Sequence, residues 1–317
     1  MHEMKEALTI RLAPMAGYTD LPFRRMCRKC GLYYGTTALI DAGALVHSNP
    51  DSREILHRGE EEEWLQVQIL GSIPADLRKG AEILRDGEWH FDAMDFNMGC
   101  PVRKVLRRHA GAGLLRDQEL AFDCVRVLRD VWPGRFTVKL RIIDENDAEP
   151  TLELCRKLVS LGVEGITIHG RLPEKIYSGP VFGGIISAVR EALPVPVTAN
   201  GGIFTLADAE ALAASSGCRE LMVARGTLGN PWIFRELTGD LRKPERSEVV
   251  DIIEDHILEM VREYGETGAM ILGRKIISAY LSGRGFPREL RASVVKISTL
   301  EDFRIFLKNA RMSPELK

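Results

Sequence analysis

The sequence predicts an α/β fold, a (β/α)8 TIM barrel followed by a small C-terminal all-helical domain. Eight short runs rich in Val, Ile, Leu or Thr lie in the first 240 residues, each bounded by Gly, Pro or polar residues. They span residues 9–13, 35–40, 65–70, 91–96, 136–140, 165–169, 195–199 and 219–223. Runs with so few polar residues indicate parallel strands covered on both faces. Eight strand–helix units in a chain of this length are typical of the closed barrel.

Segments with helical periodicity separate most of these runs. In the barrel region they span residues 75–84, 120–131, 152–161 and 206–214. An open doubly wound sheet is the competing fold, but no G-x-G-x-x-G motif follows the first run. A polar, Pro-containing stretch begins at Asp240, so we expect a barrel domain over residues 1–240 and a helical domain over residues 247–317. The second domain should contain helices near residues 249–264, 270–281 and 300–309, with a break at Gly265 and Gly268.

Composition indicates a globular enzyme. The chain of 317 residues is 45% hydrophobic and 28% charged. No apolar stretch approaches the roughly 18 residues of a membrane span, and the N-terminus lacks a secretory apolar region, so we expect a cytoplasmic protein with no membrane partner. Six scattered cysteines fit a reducing compartment. Cys27 and Cys30 form a C-x-x-C pair, but no second Cys/His pair stands at ligand spacing, so we expect no bound metal.

The net charge of −2 conceals an uneven distribution of basic residues. Residues 101–141 contain ten basic and four acidic side chains, and residues 271–317 again contain ten and four. Two local excesses in a near-neutral chain suggest a basic face that meets a phosphate-rich partner. On charge alone, a solvated surface neutralised by acidic groups elsewhere is an equally good interpretation.

One cysteine stands at a place well suited to chemistry. The segment DFNMGCP (residues 95–101) follows the fourth apolar run and ends in a turn in which Cys100 lies between Gly99 and Pro101. Active sites of barrel enzymes are built from loops at the carboxyl ends of the strands. We therefore predict that Asn97 and Cys100 belong to the active site.

Polar or Gly-rich segments also mark the ends of nearly all the remaining strands. They are Pro14, Met15 and Ala16 after the first run, Gln68 in the third, Lys139 in the fifth, His169 and Arg171 at the sixth, Asn200, Gly201 and Gly202 at the seventh, and Ala224 and Arg225 at the eighth. Backbone amides at Gly-rich turns attract anions, and the loops after strands seven and eight are the usual phosphate site of the fold. The two loops together therefore indicate a phosphorylated cofactor, whereas either one alone would indicate only a tight turn.

Lys139 lies within an apolar run, where an ammonium group needs a negative partner. The electron-rich N1–C2=O edge of a flavin would be such a partner, and a barrel carboxylate such as Asp95 is the alternative. Gln68 and Asn200 could bind the polar edge of a planar ring, and His169 could bind the ring or move a proton. Each of these three residues could equally be a satisfied polar group of the core.

The motifs at these strand ends are similar to those of the tRNA-dihydrouridine synthases, and the resemblance covers residues 12–303. The segment DFNMGCP resembles the most specific signature of that family. The other similar segments are LAPMAGYTDLPFR (12–24), HAGAGLL (109–115), IHGR (168–171), YSGP (177–180), ANGGI (199–203), ARGTLGNPWIF (224–234), GRKIISAYL (273–281) and RELR (288–291).

Two positions depart from the family pattern. Residues 37–41 read TALID, where the family usually has an acidic residue followed by Met in the loop after strand two. This change, which includes Ala38, bears on substrate detail. Ala224 precedes Arg225 where a glycine is usual, but this change keeps the backbone amide and the guanidinium, so FMN binding should survive.

The resemblance implies an FMN-dependent enzyme that reduces the C5–C6 double bond of uridine in tRNA. NADPH would reduce FMN, the flavin N5 would give a hydride to C6, and Cys100 would donate a proton to C5. A thiol is normally protonated near neutral pH, as this role requires. The implied cofactor-binding residues are Pro14, Met15, Ala16, Gln68, Lys139, His169, Asn200, Gly201, Gly202, Ala224 and Arg225. The implied RNA-binding residues are Asn97 and Arg171 at the uracil edge, and Lys104, Arg274 and Lys275 at phosphates. The resemblance also implies that residues 1–240 form the FMN-binding catalytic domain and that residues 247–317 form a helical RNA-binding domain.

Other functions stay open at this point. The same chemistry could act on ribosomal RNA. A flavin-dependent barrel could reduce a small molecule, although the basic helical tail argues against that. A non-catalytic RNA-binding protein is a third possibility, against which the presence of Cys100, Lys139 and His169 argues. We expect the protein to be a monomer.

Overall fold

The apolar runs form parallel strands, because each buries both faces and satisfies its backbone groups only through its neighbours. The computed structural model describes residues 8–47 and 54–313. Each strand overlaps one of the eight runs identified in the sequence. The strands are β1 (Thr9–Leu12), β2 (Tyr34–Asp41), β3 (Trp64–Leu70), β4 (Ala93–Met98), β5 (Arg135–Arg141), β6 (Ile166–His169), β7 (Val197–Asn200) and β8 (Glu220–Val223).

The strands close into a barrel in sequence order. β1 pairs in parallel with β8, from Thr9 opposite Glu220 to Leu12 opposite Val223, and this pairing joins the two ends of the sheet. The predicted (β/α)8 barrel is therefore confirmed. Because all strands run in parallel, their carboxyl ends and the residues that follow them share one rim.

Helices connect the strands of the barrel. They are α2 (Ala42–His47), α3 (Pro74–Asp86), α4 (Arg103–Leu106), α5 (Gln118–Val131), α6 (Glu149–Ser160), α7 (Gly183–Ala192) and α8 (Leu206–Ser216). In α3, Leu77, Ala81 and Leu84 recur at helical spacing and are buried. Helix α8 begins with a capping box between Thr205 and Asp208, which satisfies backbone N–H groups that the first turn leaves open.

The chain divides into two units. The first contains the described residues up to Asp20 together with Tyr33–Ala224, and the second contains Leu21–Leu32 together with the described residues from Arg225 onward. Helix α1 (Leu21–Lys29), which follows the first strand in the chain, belongs to the second unit. The predicted domain limits of 1–240 and 247–317 stay a prediction.

The second unit is helical throughout its described regular elements. Besides α1 it contains α9 (Ile233–Leu237), α10 (Arg246–Leu281), α11 (Arg288–Ser293) and α12 (Leu300–Met312). Within α10, Gly265 has φ of 71° and ψ of 169°, so two helices meet there at a kink. The predicted break at Gly265 and the helices on either side of it are therefore confirmed, whereas the break predicted at Gly268 is wrong, because Gly268 lies within the second of these helices.

One sequence-based placement is wrong. The segment 37–41 is matched to the family's loop after strand two, although residues 37–40 also lie in the second apolar run. All five residues lie inside β2, because its pairing with β3 continues through Asp41 opposite Leu70. The pairing register shifts between Thr36 and Leu39, and Ala38 lies at that irregularity. The departure from the family pattern is thus part of the barrel wall.

No helix among the described residues has both the length and the hydropathy that a membrane crossing requires.

Candidate active site

The strand register brings the predicted polar residues of four neighbouring strands to one rim of the barrel. Asn97 of β4 lies opposite Lys139 of β5. One step along the sheet, Arg141 of β5 lies opposite His169 of β6, and His169 lies opposite Asn200 of β7. Residues that are far apart in the sequence therefore share the carboxyl ends of adjacent strands.

A chain of buried hydrogen bonds links the β4 carboxylate to the side chain of Asn97. The Oδ2 atom of Asp95 accepts from Gln68 Nε2 at 2.6 Å, and its Oδ1 atom accepts from Thr137 Oγ1 at 2.6 Å. Gln68 Oε1 in turn accepts from Asn97 Nδ2 at 2.7 Å. Since an ionised carboxylate can only accept, it fixes which way the Gln68 amide points, and Gln68 then fixes the Asn97 amide.

Asn97 holds the backbone of the cysteine turn. Its Oδ1 atom accepts from the backbone N–H of Gly99 at 3.1 Å and of Cys100 at 3.0 Å. On the other side, the carbonyl oxygen of Cys100 accepts from the backbone N–H of Ala112 at 3.0 Å. Cys100 itself is half-buried, and its backbone is held from both sides. The buried chain from Asp95 therefore ends at the candidate catalytic residue.

The loop that packs on Cys100 depends on a glycine. Gly111 has φ of 58°, and a Cβ atom there would lie 2.8 Å from the Cys100 carbonyl oxygen. We expect Gly111→Ala to lower the free energy of unfolding by about 1–3 kcal/mol, because alanine is strained at this φ and the contact is with backbone. Thermal denaturation measures the loss. Gly184→Ala is the matched control, since a Cβ there meets nothing within 4 Å. A Gly111→Ala protein that melts like wild type would contradict this account.

Lys139 has a different partner from the carboxylate considered in the sequence analysis. Its Nζ donates to Asn200 Oδ1 at 2.9 Å, and Asn200 Nδ2 donates to the carbonyl of Met222 at 2.7 Å. Burial, together with the nearby Arg141, lowers the pKa of Lys139 to about 8. No carboxylate of residues 8–47 and 54–313 forms an ion pair with Lys139, so an anion at this position would gain an ammonium partner.

His169 and Arg171 lie beside the Gly-rich turn after β7. Arg171 Nη1 lies 3.4 Å from His169 Nε2, and because a guanidinium only donates, Nε2 is the acceptor in this contact. Gly201 has φ of 127°, and a Cβ atom there would lie 2.8 Å from the His169 ring. The turn therefore needs glycine at this position, because φ is positive and a side chain would overlap the His169 ring.

Sequence reasoning gave two residues of this rim no part in holding the cysteine turn. Asp95 was considered only as a partner for Lys139, yet it begins the hydrogen-bond chain to Asn97. Arg141 Nε donates to the carbonyl of Gly99 at 2.9 Å, and its Nη1 donates to the carbonyl of Leu172 at 3.2 Å. The available signals were a charged residue inside the fourth apolar run for Asp95 and a charged residue directly after the fifth run for Arg141.

The remaining predicted site residues lie at three other places. Pro14, Met15 and Ala16 follow β1, and the N–H of Met15 donates to Thr19 Oγ1. Ala224 directly follows β8 and ends the first unit, whereas Arg225 begins the next segment of the second unit.

The predicted phosphate contacts differ in their surroundings. Lys104 is exposed on α4, and Lys275 is exposed on α10. Arg274 donates through Nε to the carbonyl of Ile297 at 2.8 Å, so part of its guanidinium holds the helical unit together.

Part of the basic excess in residues 101–141 is neutralised locally. Ion pairs of this segment are Arg108–Asp41, Arg116–Glu174, Arg126–Asp123 and Arg129–Glu164. Surface pairs of this kind contribute little to stability, about 0–1 kcal/mol each. The solvated-surface interpretation therefore accounts for a share of the excess.

Among the described residues, no group of three or more His, Cys, Asp or Glu side chains could hold a metal ion.

Comparison with known proteins gives the class of this chain. The sequence profile of the dihydrouridine synthase (Dus) family matches residues 11–314. The chain is 33% identical over 288 residues to tRNA-dihydrouridine synthase B of Pseudomonas aeruginosa, covering 89% of this chain and 86% of that protein. It is 32% identical to tRNA-dihydrouridine synthase B of Proteus vulgaris, with 89% and 88% covered. The protein of the same name in Serratia marcescens is 30% identical, with 96% and 93% covered.

The family match gives the class of this protein as an oxidoreductase that acts on tRNA uridine. The chain belongs to the dihydrouridine synthase family.

Proposed function

We propose that the protein is an FMN-dependent tRNA-dihydrouridine synthase that reduces the C5–C6 double bond of uridine with electrons from NADPH. The observation that carries the proposal is the position of Cys100. Its backbone is held on both sides at the rim where Asn97 and Lys139 lie opposite each other. The family match and the tRNA-modifying relatives support the substrate.

The residues at the rim fit a flavin that carries a phosphate. Lys139 offers a cation for the anionic ring edge, and the Gly201–Gly202 turn, with φ of 127° and 74°, allows a phosphate to approach backbone amides. His169 lies against the same turn. When bound, FMN supplies the hydride and NADPH supplies the electrons that restore it.

Cys100 supplies the proton in this proposal. Adding a hydride at C6 of uracil leaves negative charge that a proton at C5 must neutralise, and the Sγ–H group of Cys100 is the donor. Arg141 and Asn97 keep the turn that carries this thiol in one conformation, because they bind the carbonyl and the N–H of Gly99. Placing donor and acceptor in fixed geometry removes much of the entropic cost of the proton transfer.

The substrate base must leave its stack to reach the barrel rim, so the enzyme binds a flipped or unpaired nucleotide. Lys104, Arg274 and Lys275 are proposed phosphate contacts, and Arg171 and Asn97 are proposed contacts of the uracil edge. An RNA substrate and six free cysteines both support a cytoplasmic location. A monomeric state stays a prediction.

Mapping of dihydrouridine by mass spectrometry tests this function. In RNA from cells that lack the protein, at least one tRNA position that normally carries dihydrouridine should have the mass of unmodified uridine, which is lower by two hydrogens. Expression of the wild-type protein should restore dihydrouridine at that position. Loss confined to ribosomal RNA would reassign the substrate. An unchanged dihydrouridine content, together with a purified protein that binds no flavin, would overturn the proposal.

A further inference from the structure

A buried guanidinium group joins two loops of the candidate active site. Arg141, the last residue of β5, donates from Nε to the carbonyl of Gly99 at 2.9 Å and from Nη1 to the carbonyl of Leu172 at 3.2 Å. Gly99 belongs to the turn that carries Cys100, and Leu172 belongs to the β6 loop, defined here as residues 170–182. One side chain thus binds the backbone of two loops that follow different strands.

The β6 loop is held in shape by its own hydrogen bonds. Its two ends meet where the backbone N–H of Phe182 donates to the carbonyl of Gly170 at 2.8 Å. Inside the loop, Nε of the buried Arg171 donates to the carbonyl of Gly179 at 3.0 Å. Arg141 therefore connects the cysteine turn to a loop that is already ordered.

The bond from Arg141 holds the side of the cysteine turn that Asn97 does not reach. Asn97 binds the N–H groups of Gly99 and Cys100, whereas Arg141 binds the Gly99 carbonyl. A hydrogen bond from a charged donor is stronger than one between neutral groups, and a buried position strengthens it further. Removal of the guanidinium would therefore release the turn on one side.

An exposed ion pair provides a second and weaker link between the same two loops. Arg116 Nη2 lies 2.5 Å from Oε1 of Glu174 in the β6 loop. Arg116 directly follows the short helix Gly111–Leu115, in which the N–H of Ala112 binds the carbonyl of Cys100. Both charged side chains of the pair are exposed, and exposed pairs contribute little to stability. The buried contact through Arg141 is the stronger of the two connections.

We propose that Arg141 is a positioning residue for proton transfer from Cys100, which it serves by holding the cysteine turn against the β6 loop. The inference rests on the proposed function, because that function makes the Cys100 thiol the proton donor to C5. The competing assignment is direct contact of Arg141 with the uracil or the flavin. Arg141 is only 2% exposed, so little of its guanidinium is available to a ligand.

Steady-state kinetics of the FMN-loaded protein on a tRNA transcript distinguish positioning from binding. In Arg141→Met, kcat for dihydrouridine formation should fall about 100-fold, the cost of a small misplacement of reacting groups. In Arg141→Lys it should fall about 10-fold, because an ammonium group lacks the planar fork of donors that reaches both carbonyls. The KM for tRNA, the FMN content and the rate of flavin reduction by NADPH should not change.

Retention of the flavin in Arg141→Met has a physical reason. Burial lowers the pKa of Lys139, and the charge of Arg141 lowers it further. Loss of that charge therefore favours the ammonium form of Lys139, which is the form proposed to bind the flavin edge. Loss of FMN from this variant, or a raised KM with an unchanged kcat, would overturn the proposal, since Arg141 would then be a binding residue.

Amide hydrogen exchange measures the same contact without any reaction. The N–H groups of Gly99 and Cys100 should exchange about 10- to 100-fold faster in Arg141→Met, as expected for the loss of a hydrogen bond to a charged group. Exchange as slow as in wild type would contradict the proposal. If Arg141→Met does not fold, Arg141→Lys is measured in both experiments, and wild-type kcat and exchange in that variant would overturn the assignment.

Arg129→Lys is the matched control, because Arg129 also binds backbone next to β5 but at the other end of the strand. Its Nη2 donates to the carbonyl of Gly134 at 3.0 Å, directly before β5 begins. This variant may lose thermal stability, as Arg141→Lys does, but should keep the wild-type kcat and the slow exchange at Gly99. An equal fall of kcat in the control would refute the proposal, because general loosening of the barrel would explain both results.

The two readouts separate this inference from the function on which it rests. If the wild-type protein forms dihydrouridine and the Arg141 variants do so at the same rate, only the positioning role is lost. If Arg141→Met speeds exchange in the cysteine turn but the wild-type protein forms no dihydrouridine, only the assigned chemistry is lost.

Discussion

Replacement of Cys100 by alanine is expected to lower dihydrouridine formation by about 10²–10⁴-fold, the range that a positioned general acid contributes. The expectation follows from the fixed position of the thiol, whose backbone N–H and carbonyl both have hydrogen-bond partners. Alanine keeps those backbone contacts and removes only the proton donor. Flavin content and NADPH oxidation should therefore be retained, and the product should be counted by mass spectrometry of a tRNA transcript.

Cys100→Ser separates proton donation from packing. A serine hydroxyl fills nearly the same space but is a far weaker acid than a thiol, so this variant should be almost as slow as Cys100→Ala. A serine enzyme with full activity would show that the size of the side chain matters and its acidity does not. Full activity in the alanine variant would remove Cys100 from the mechanism altogether.

Replacement of Asp95 by asparagine should lower product formation by about 100-fold, the cost of a small misplacement of reacting groups. Asp95 accepts from both Gln68 and Thr137 and touches neither Asn97 nor Cys100 in a hydrogen bond. An asparagine has one donor end, which would oppose one of these two donors. If Gln68 turned over to relieve the conflict, Asn97 would have to turn too and would present N–H groups to the amides of Gly99 and Cys100.

The pH profile distinguishes this positioning role from a general loss of stability. Burial raises the pKa of Asp95 to about 6, against the hydrogen bonds from Gln68 and Thr137, which lower it. Product formation by wild type should decline as the pH falls through about 6, because a protonated Asp95 is also a donor. Asp95→Asn should lack this decline. Thr137→Val, which removes one bond to Asp95 and leaves the path to Cys100 intact, should cost much less.

The free energy of unfolding should change with pH in the direction opposite to product formation. Because the folded-state pKa of Asp95 lies above its ordinary value of 3.8, the folded protein binds this proton more tightly than the unfolded chain. The resulting contribution to the free energy of unfolding is complete below pH 3.8 and is lost as the pH rises through about 6. Asp95→Asn should remove that slope. Equal slopes in the two proteins would contradict the buried, raised-pKa carboxyl.

Local patterns were sufficient to locate the strands and the helix break. Runs of β-branched and apolar residues report burial on both faces whatever they pack against, so each overlaps a strand of the barrel. Gly265 likewise predicts a broken helix from its residue type alone, because the break depends only on the φ and ψ of that residue. The placement of residues 37–41 failed because the strand continues to a polar residue, Asp41, whose carboxylate forms a bidentate pair with Arg108.

The choice of partner for Lys139 shows what local pattern could not decide. The sequence indicated that this buried ammonium needs a polar partner, and it left both a cofactor and Asp95 open. The partner within the chain is Asn200, 61 residues away, since the closed sheet brings β5 and β7 to the same rim. Asp95 is instead engaged by Gln68 and Thr137.

The sequence by itself determined the barrel, the helical tail, the cysteine turn and the similarity to dihydrouridine synthases, because periodicity and short motifs are properties of neighbouring residues. Only the tertiary structure decided which polar groups meet. The path from Asp95 to Cys100 and the bond from Lys139 to Asn200 each join segments that are distant in the chain. Such contacts depend on strand register and helix packing, which no local spacing encodes.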